Sequence, residues 1–196
     1  AMGSTSADTN AYKYFPLNEG NKFVYDYYFV HVSPTNPSYQ SGTKSIYVSA
    51  PIFYSGKKYF SIAGLPFINN TATSGFFRTD TITGSLMNYN QNNTCPYYYF
   101  EVITDSLGAL PGDTVRSCNL VSAVSFCTNI NETSIFGTSA YLKKFTKGTG
   151  GPHYNHSYYR EYAKNWGLVF CKAVERYSFS ISYSDTTYYR LKGCVL

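Results

Sequence analysis

The residues able to carry acid, base or nucleophile chemistry are few: three histidines, five cysteines and eleven carboxylates in 196 residues. A Ser-His-Asp or Cys-His hydrolase must draw on His31, His153 or His156. None of them is accompanied by a Gly-x-Ser-x-Gly elbow or a protease-like cysteine context, so no catalytic residue is assigned. His153-x-x-His156 follows Gly150-Gly151-Pro152 and, joined by Glu161, would be a weak metal-ligand set. The plain alternative is a pair of solvated loop histidines. Glycoside hydrolysis needs two carboxylates at a set separation. Asp26, Glu101, Glu161 and Glu175 all lie in strand-like runs. An ionised group there must point outward, be paired or be functional, and outward is the expectation.

The aromatic residues say more. With 22 Tyr, 14 Phe and one Trp, the chain has more rings than one core of this size hides. Tyr97-Tyr98-Tyr99, Tyr158-Tyr159 and Tyr188-Tyr189 place neighbouring tyrosines on opposite faces of a strand, so one of each adjacent pair faces outward. With Tyr162 and Trp166 they are the candidate ligand-binding residues, suited to sugar stacking or protein contact. Cover for a sheet is the plainer role.

These side chains need elements to hold them. The length fits one domain, and charged residues make up only 14% of it, which argues against disorder. Tyr, Phe, Thr, Val and Ser abound while helix formers are scarce, so strands are favoured. The net charge of +5 reflects few acids and no basic stripe, so nucleic acid is not an expected partner. Lys57-Lys58 and Lys143-Lys144 read as solubility and edge protection. No run of about 18 apolar residues exists to span a bilayer as a helix.

Ala1-Met2-Gly3-Ser4 reads as a tag remnant, and residues up to 12 as a flexible lead-in to a single domain over 13–196. The segment 23–31 is the clearest strand, with Phe23, Tyr25, Tyr27 and Phe29 on its core face. A strand over 45–49 is expected to stop at Pro51. Hairpins are predicted around Ser55-Gly56-Lys57 and around Thr81-Ile82-Thr83-Gly84, and a turn at Leu110-Pro111-Gly112-Asp113. Short strands continue through 121–128, 134–136, 140–146, 158–162, 167–173, 177–183 and 187–196, with 147–152 a glycine-rich loop. The tyrosine-rich stretch 158–164 would also allow a helical turn. About a dozen short strands without crossover helices imply an all-β fold: an antiparallel meander forming a barrel, half-barrel or sandwich.

Cys95, Cys118, Cys127, Cys171 and Cys194 contain no Cys-x-x-Cys pair and no zinc-like spacing. In an exported chain they would form one or two disulfides, for which Cys118 with Cys127 and Cys171 with Cys194 are the candidates; five reduced thiols are the alternative. Asn-x-Ser/Thr occurs at Asn69, Asn92, Asn131 and Asn155.

Tyr14-Phe15-Pro16-Leu17-x-x-Gly20-Asn21-x-x-x-Tyr25-Asp26-Tyr27, Gly56-Lys57-Lys58-Tyr59-Phe60, Arg78-Thr79-Asp80 with Gly84, Pro111-Gly112-Asp113-Thr114 and Leu191-Lys192-Gly193-Cys194 together resemble secreted all-β modules of Bacteroidota and Ignavibacteria-type bacteria. Many of those modules are attached to a type IX secretion sorting domain. The resemblance spans most of the chain and implies export, with no particular chemistry. Phe23 stands where those modules commonly have Trp, and the sequence stops at Leu196 where a sorting domain would follow. Physically the same motifs are turns: Gly20, Gly56, Gly84 and Gly112 suit positive φ, and Asp80 and Asp113 suit bonds to nearby amides.

The functional expectation is a secreted or cell-surface binding module that contacts glycan or protein through exposed tyrosines, without a cofactor and possible as part of a longer polypeptide. The alternatives are a secreted hydrolase with a carboxylate and histidine site, which would need His153, His156, Glu161 or Glu101 to converge, and a barrel carrying an apolar ligand.

Overall fold

A computed structural model describes residues 10–65, 73–89, 101–116, 124–151, 153–178 and 182–196. After a 3-10 turn at Ala11–Tyr14 the described chain is all β: β1 (Lys22–Val32), β2 (Ser38–Tyr54), β3 (Lys57–Leu65), β4 (Thr73–Thr79), β5 (Ser85–Tyr89), β6 (Glu101–Ser106), β7 (Thr114–Arg116), β8 (Val124–Ile135), β9 (Thr138–Gly151), β10 (Tyr154–Ala163), β11 (Gly167–Ser178) and β12 (Ser182–Val195). Every pairing is antiparallel, in the order β6-β5-β4-β3-β2-β1-β12-β11-β10-β9-β8-β7. Sequence neighbours are thus sheet neighbours everywhere except at β6 and β7, which occupy the two edges, while β1 and β12 close the chain's ends onto each other. The result is the meander expected from sequence, curled into a nearly closed barrel.

The seam between β6 and β7 is sealed by the turn that joins them. Gly112 N donates to Cys127 O (2.8 Å), Cys127 N to Asp113 O (3.0 Å), and the buried Lys143 Nζ to Leu107 O (2.6 Å). Asp105 of β6 reaches the facing wall, accepting from Ser125 Oγ on β8 (3.1 Å) and Tyr162 Oη on β10 (2.6 Å). The core between the walls is aromatic: Phe15 stacks on Phe23 and meets the edge of Tyr162, which also meets Phe145.

β1 follows its pattern at its start, while Tyr27 and Phe29, also expected on the core face, are only partly buried. Phe23 and Tyr25 are buried, and Tyr25 Oη donates to Leu168 O (2.8 Å). The Ser55-Gly56 turn has two residues, not three, both at positive φ (49° and 74°), the geometry that keeps the strand twist continuous through a hairpin. Asp80 Oδ1 accepts from the Ile82 and Thr83 amides, and Asp113 Oδ2 from the Leu110 amide, as the turn chemistry predicts.

Three expectations fail locally. Pro51 does not end its strand; β2 runs on to Tyr54, with the register shifting between Val48 and Pro51, and a bulge is where a residue without an N–H is tolerated. The glycine-rich segment belongs to β9, which reaches Gly151 because β10 ladders against it from Tyr154. Residues 158–163 are strand, not a helical turn, since β10 has ladder partners on both sides.

The candidate disulfides are also corrected. Among the described residues Cys127, Cys171 and Cys194 form no disulfide. Cys171 stands opposite Tyr189, five residues along β12 from Cys194, too far for a bridge. Cys127 sits buried against Ala109 O and Phe145, and Cys118 lies outside the described residues.

Candidate functional site

Alternation sorts the candidate residues of β10 to β12 onto two faces. His156, Tyr158, Arg160 and Tyr162 of β10 face inward, and Ser157, Tyr159 and Glu161 face outward. The structure therefore corrects the candidate set. Tyr162 is fully buried and bonded to Asp105, Tyr158 lies against His156, and Tyr189 packs on Tyr25 and Tyr27, so none of these three presents a ring at the surface. Trp166 sits in the β10–β11 turn with its ring against Phe136 (5.4 Å). Tyr97, Tyr98 and Tyr99 lie outside the described residues. Tyr159 and Tyr188 are the outward members of their pairs.

The register carries these two into a row. Tyr159 stands opposite Thr146 on one side and Lys172 on the other, Lys172 opposite Tyr188, and Tyr188 opposite Tyr28. With strands about 4.8 Å apart, three tyrosines and a lysine form one transverse line across β10, β11, β12 and β1. Lys172 Nζ lies 5.2 Å from the Tyr188 ring centre, and Tyr28 is 41% exposed. The next row reads Lys144, Glu161, Phe170, Arg190 and Asp26. The Tyr159 and Phe170 rings meet edge to face at 6.0 Å, and Arg190 covers Phe170 at 5.8 Å.

Two open grooves meet at Phe170. One of about 600 Å³ is lined by Thr146, Ser157, Tyr159, Lys172 and Arg176, and one of about 620 Å³ by Ser134, Phe136, Glu161 and Arg190. Glu161 is held by Lys144 (3.2 Å) and by the Tyr159 hydroxyl (3.2 Å). Burial alone would lower the Lys144 ammonium, and the carboxylate beside it more than reverses that. Lys172, Arg176 and Arg190 form no ion pair among the described residues.

The histidine and carboxylate candidates do not converge. His156 and Glu161 stand on opposite faces of β10, because five residues separate them and five is odd. His153 is exposed, its Nδ1 3.1 Å from Ser178 O. Among the described residues no cluster of three His, Cys, Asp or Glu could hold a metal ion. His156 instead pairs with Glu175 across the ladder, Nδ1 to Oε1 3.6 Å, and His31 with Asp185 at 2.5 Å.

Glu101, at the start of β6, is buried, not outward. It accepts from Lys57 Nζ (2.6 Å), Tyr59 Oη (2.6 Å) and both Nε and Nη2 of Arg78 (2.5 and 3.0 Å). Burial would raise its carboxyl; these donors overcome that and hold it at about 2. Each carboxylate oxygen thus accepts two hydrogen bonds.

No protein-family model matches the sequence, and no curated protein is significantly similar to it. In chain course the protein is similar to the crystal structure of a chain from Bacteroides fragilis NCTC 9343 described as exported and YmcC-like in fold: 12% identity over 93% of this chain and 98% of that one, TM-score 0.46. It is similar also to a chain from Parabacteroides distasonis ATCC 8503 described as a lipoprotein: 13% identity over 93% of this chain and 98% of that one, TM-score 0.37. Likenesses this remote carry no argument about the site, which rests on its own geometry.

Sequence reasoning missed Phe170, Lys172, Arg190 and Tyr28. The first two were within reach, since Phe170, Lys172, Val174 and Arg176 alternate with Cys171, Ala173 and Glu175 along β11.

Proposed function

We propose that the protein is an exported binding module whose outer β10–β12 face takes an extended acidic glycan. The observation that carries the reading is the groove pair joined at Phe170, with an aromatic floor of Tyr159 and Phe170 and three cations, Lys172, Arg176 and Arg190, without carboxylate partners among the described residues. Sugar rings stack on such floors through their C–H faces, and uronate or sulfate groups would meet the cations. Export is part of the proposal and draws on the motif resemblance.

The test is titration calorimetry with polygalacturonate and alginate oligosaccharides against neutral cello-oligosaccharides. Acidic sugars bind, neutral ones do not, and Tyr159→Ala or Lys172→Ala weakens binding about tenfold with little change in melting temperature. Absence of binding to every acidic sugar, or equal binding by the variants, overturns the reading.

A further inference from the structure

The β8–β9 turn carries a side chain that its backbone does not favour. Phe136 and Gly137 form a two-residue turn between the paired Ile135 and Thr138, at φ 50° and 82°. Turns of this kind prefer Asn or Gly at the first position, and a bulky side chain held there is strained. The β2–β3 turn has the same left-handed pair with Ser55 and Gly56, so the fold does not require an aromatic ring in such a turn. Burial does not account for the ring either, since Phe136 is 53% exposed. Strain kept without a gain in burial points to a role outside folding.

Placement supplies that role. β9, β10 and β11 separate β8 from β12, about 19 Å along the sheet, yet Ser134 and Phe136 share the groove of about 620 Å³ with Arg190 and Leu191 of β12. The turn therefore leans over the outer face, and it is held there. The Phe136 and Trp166 rings meet edge to face at 5.4 Å, and Trp166 packs against the core. The loop bearing Trp166 is tied down by its own amides: Lys164 N donates to Tyr141 O (2.8 Å), Asn165 N to Lys13 O (2.7 Å) and Trp166 N to Ala163 O (3.0 Å). The two joined grooves follow β11 from Arg176 through Phe170 to Val169, about 23 Å at the rise of a strand, with Phe136 walling the Val169 end.

We infer that Phe136 is a ring-stacking subsite at this end of the groove, and that the module selects acidic oligosaccharides long enough to reach from Tyr159 to the β8–β9 turn. The inference rests on the acidic-glycan reading above and adds to it the length of the ligand and the residue that senses it. The exposed Phe136 ring takes a sugar face, while Ser134 and Arg190 in the same groove meet hydroxyl and carboxylate groups. A platform fixed in advance by Trp166 loses little freedom when the sugar arrives. Trp166 is the only tryptophan in the chain, so its emission reports on this end of the groove.

The experiment is calorimetry with short and long oligosaccharides of polygalacturonate and of alginate, on wild type, Phe136→Asn, Phe136→Tyr and Tyr159→Ala, with Trp166 emission followed in parallel. Long chains bind wild type more tightly than the shortest chains that bind, and only the long ones shift the emission saturably. Phe136→Asn weakens long chains about three- to tenfold and leaves the shortest unchanged, whereas Phe136→Tyr binds as wild type. Because Asn suits the left-handed position, Phe136→Asn melts no lower than wild type. Equal binding of long chains by Phe136→Asn and wild type, with Tyr159→Ala still weakened, overturns the subsite and leaves the glycan reading standing. A melting temperature lowered by more than about 4 °C in Phe136→Asn makes the ring a cover for Trp166 and overturns the subsite as well. No binding of any acidic chain overturns both.

Discussion

At the scale of single residues, the structure turns on which buried charges are satisfied. Glu101 takes hydrogen bonds from three side chains, and its carboxyl, ordinarily near 4.5, is held at about 2. A depressed carboxyl adds stability above the unfolded value, and that contribution is lost as pH falls from about 4.5 toward 2. Glu101→Gln should cost about 2–3 kcal/mol at pH 7, since the partly buried Arg78 keeps Asp80 but loses its charged hydrogen bonds to Glu101. Urea titrations should show the gap between variant and wild type narrowing at pH 3; an equal gap at both pH values would contradict the assignment. His156 gives the same direction at higher pH and for a different reason. Burial lowers it against the pull of Glu175, with Tyr154, Tyr158 and Tyr177 around it and the Asp185–His31 pair beyond. The unfolded chain therefore takes up the proton first, and stability falls as pH drops below about 6.5. His156→Gln should flatten that part of the curve. Sequence alone reached the paired tyrosines as one inward and one outward, but not which one: that is a matter of register parity, fixed by distant ladder partners. For the same reason His156 and Glu161 looked compatible until the pleat separated them.

At the scale of elements, turn residues were the most legible features because their chemistry is local. Gly56 and Gly84 both adopt positive φ, at 74° and 67°, but in different surroundings. A Cβ at position 56 would meet nothing within 4 Å, whereas at position 84 it would come within 2.5 Å of Ala11 Cβ and 3.0 Å of Gly108 N. Gly56→Ala should cost about 1 kcal/mol, the left-handed penalty alone. Gly84→Ala should cost about 3 kcal/mol, because the 3-10 turn and the backbone at Gly108 must also move. Chemical denaturation of the two variants measures the difference; equal losses would mean that packing around Ala11 yields freely. Strand ends were less legible, since a ladder can override composition. β9 keeps three glycines and β2 keeps Pro51 because flanking strands hold them, and such partners are distant in sequence.

At the scale of the whole molecule, one join in the ring of strands differs from the rest. Eleven neighbouring pairs are laddered, while β6 and β7 meet through the turn and its contacts with β8 and β9. The class and the meander could be read from strand count and the lack of crossover helices; this closure could not, because it rests on Ser125 with Asp105, Cys127 with Ala109 and Lys143 with Leu107, pairs 18 to 36 residues apart in sequence. Lys143 is the residue to test. Its ammonium is buried, donates to Leu107 O and lies 4.6 Å from the Tyr14 ring centre, so it fastens both the turn and the N-terminal segment to β9. Lys143→Met keeps the apolar stem but leaves the Leu107 carbonyl unsatisfied, a loss of about 1–3 kcal/mol. Because the seam has no ladder to fall back on, that loss should appear locally first. Amide exchange should quicken at Gly112 and Cys127, while Tyr27 and Tyr189 in the β1–β12 ladder keep exchanging only through global unfolding. Uniform quickening at all four amides would mean instead that the seam opens only with the whole barrel, and that the ring is one cooperative unit.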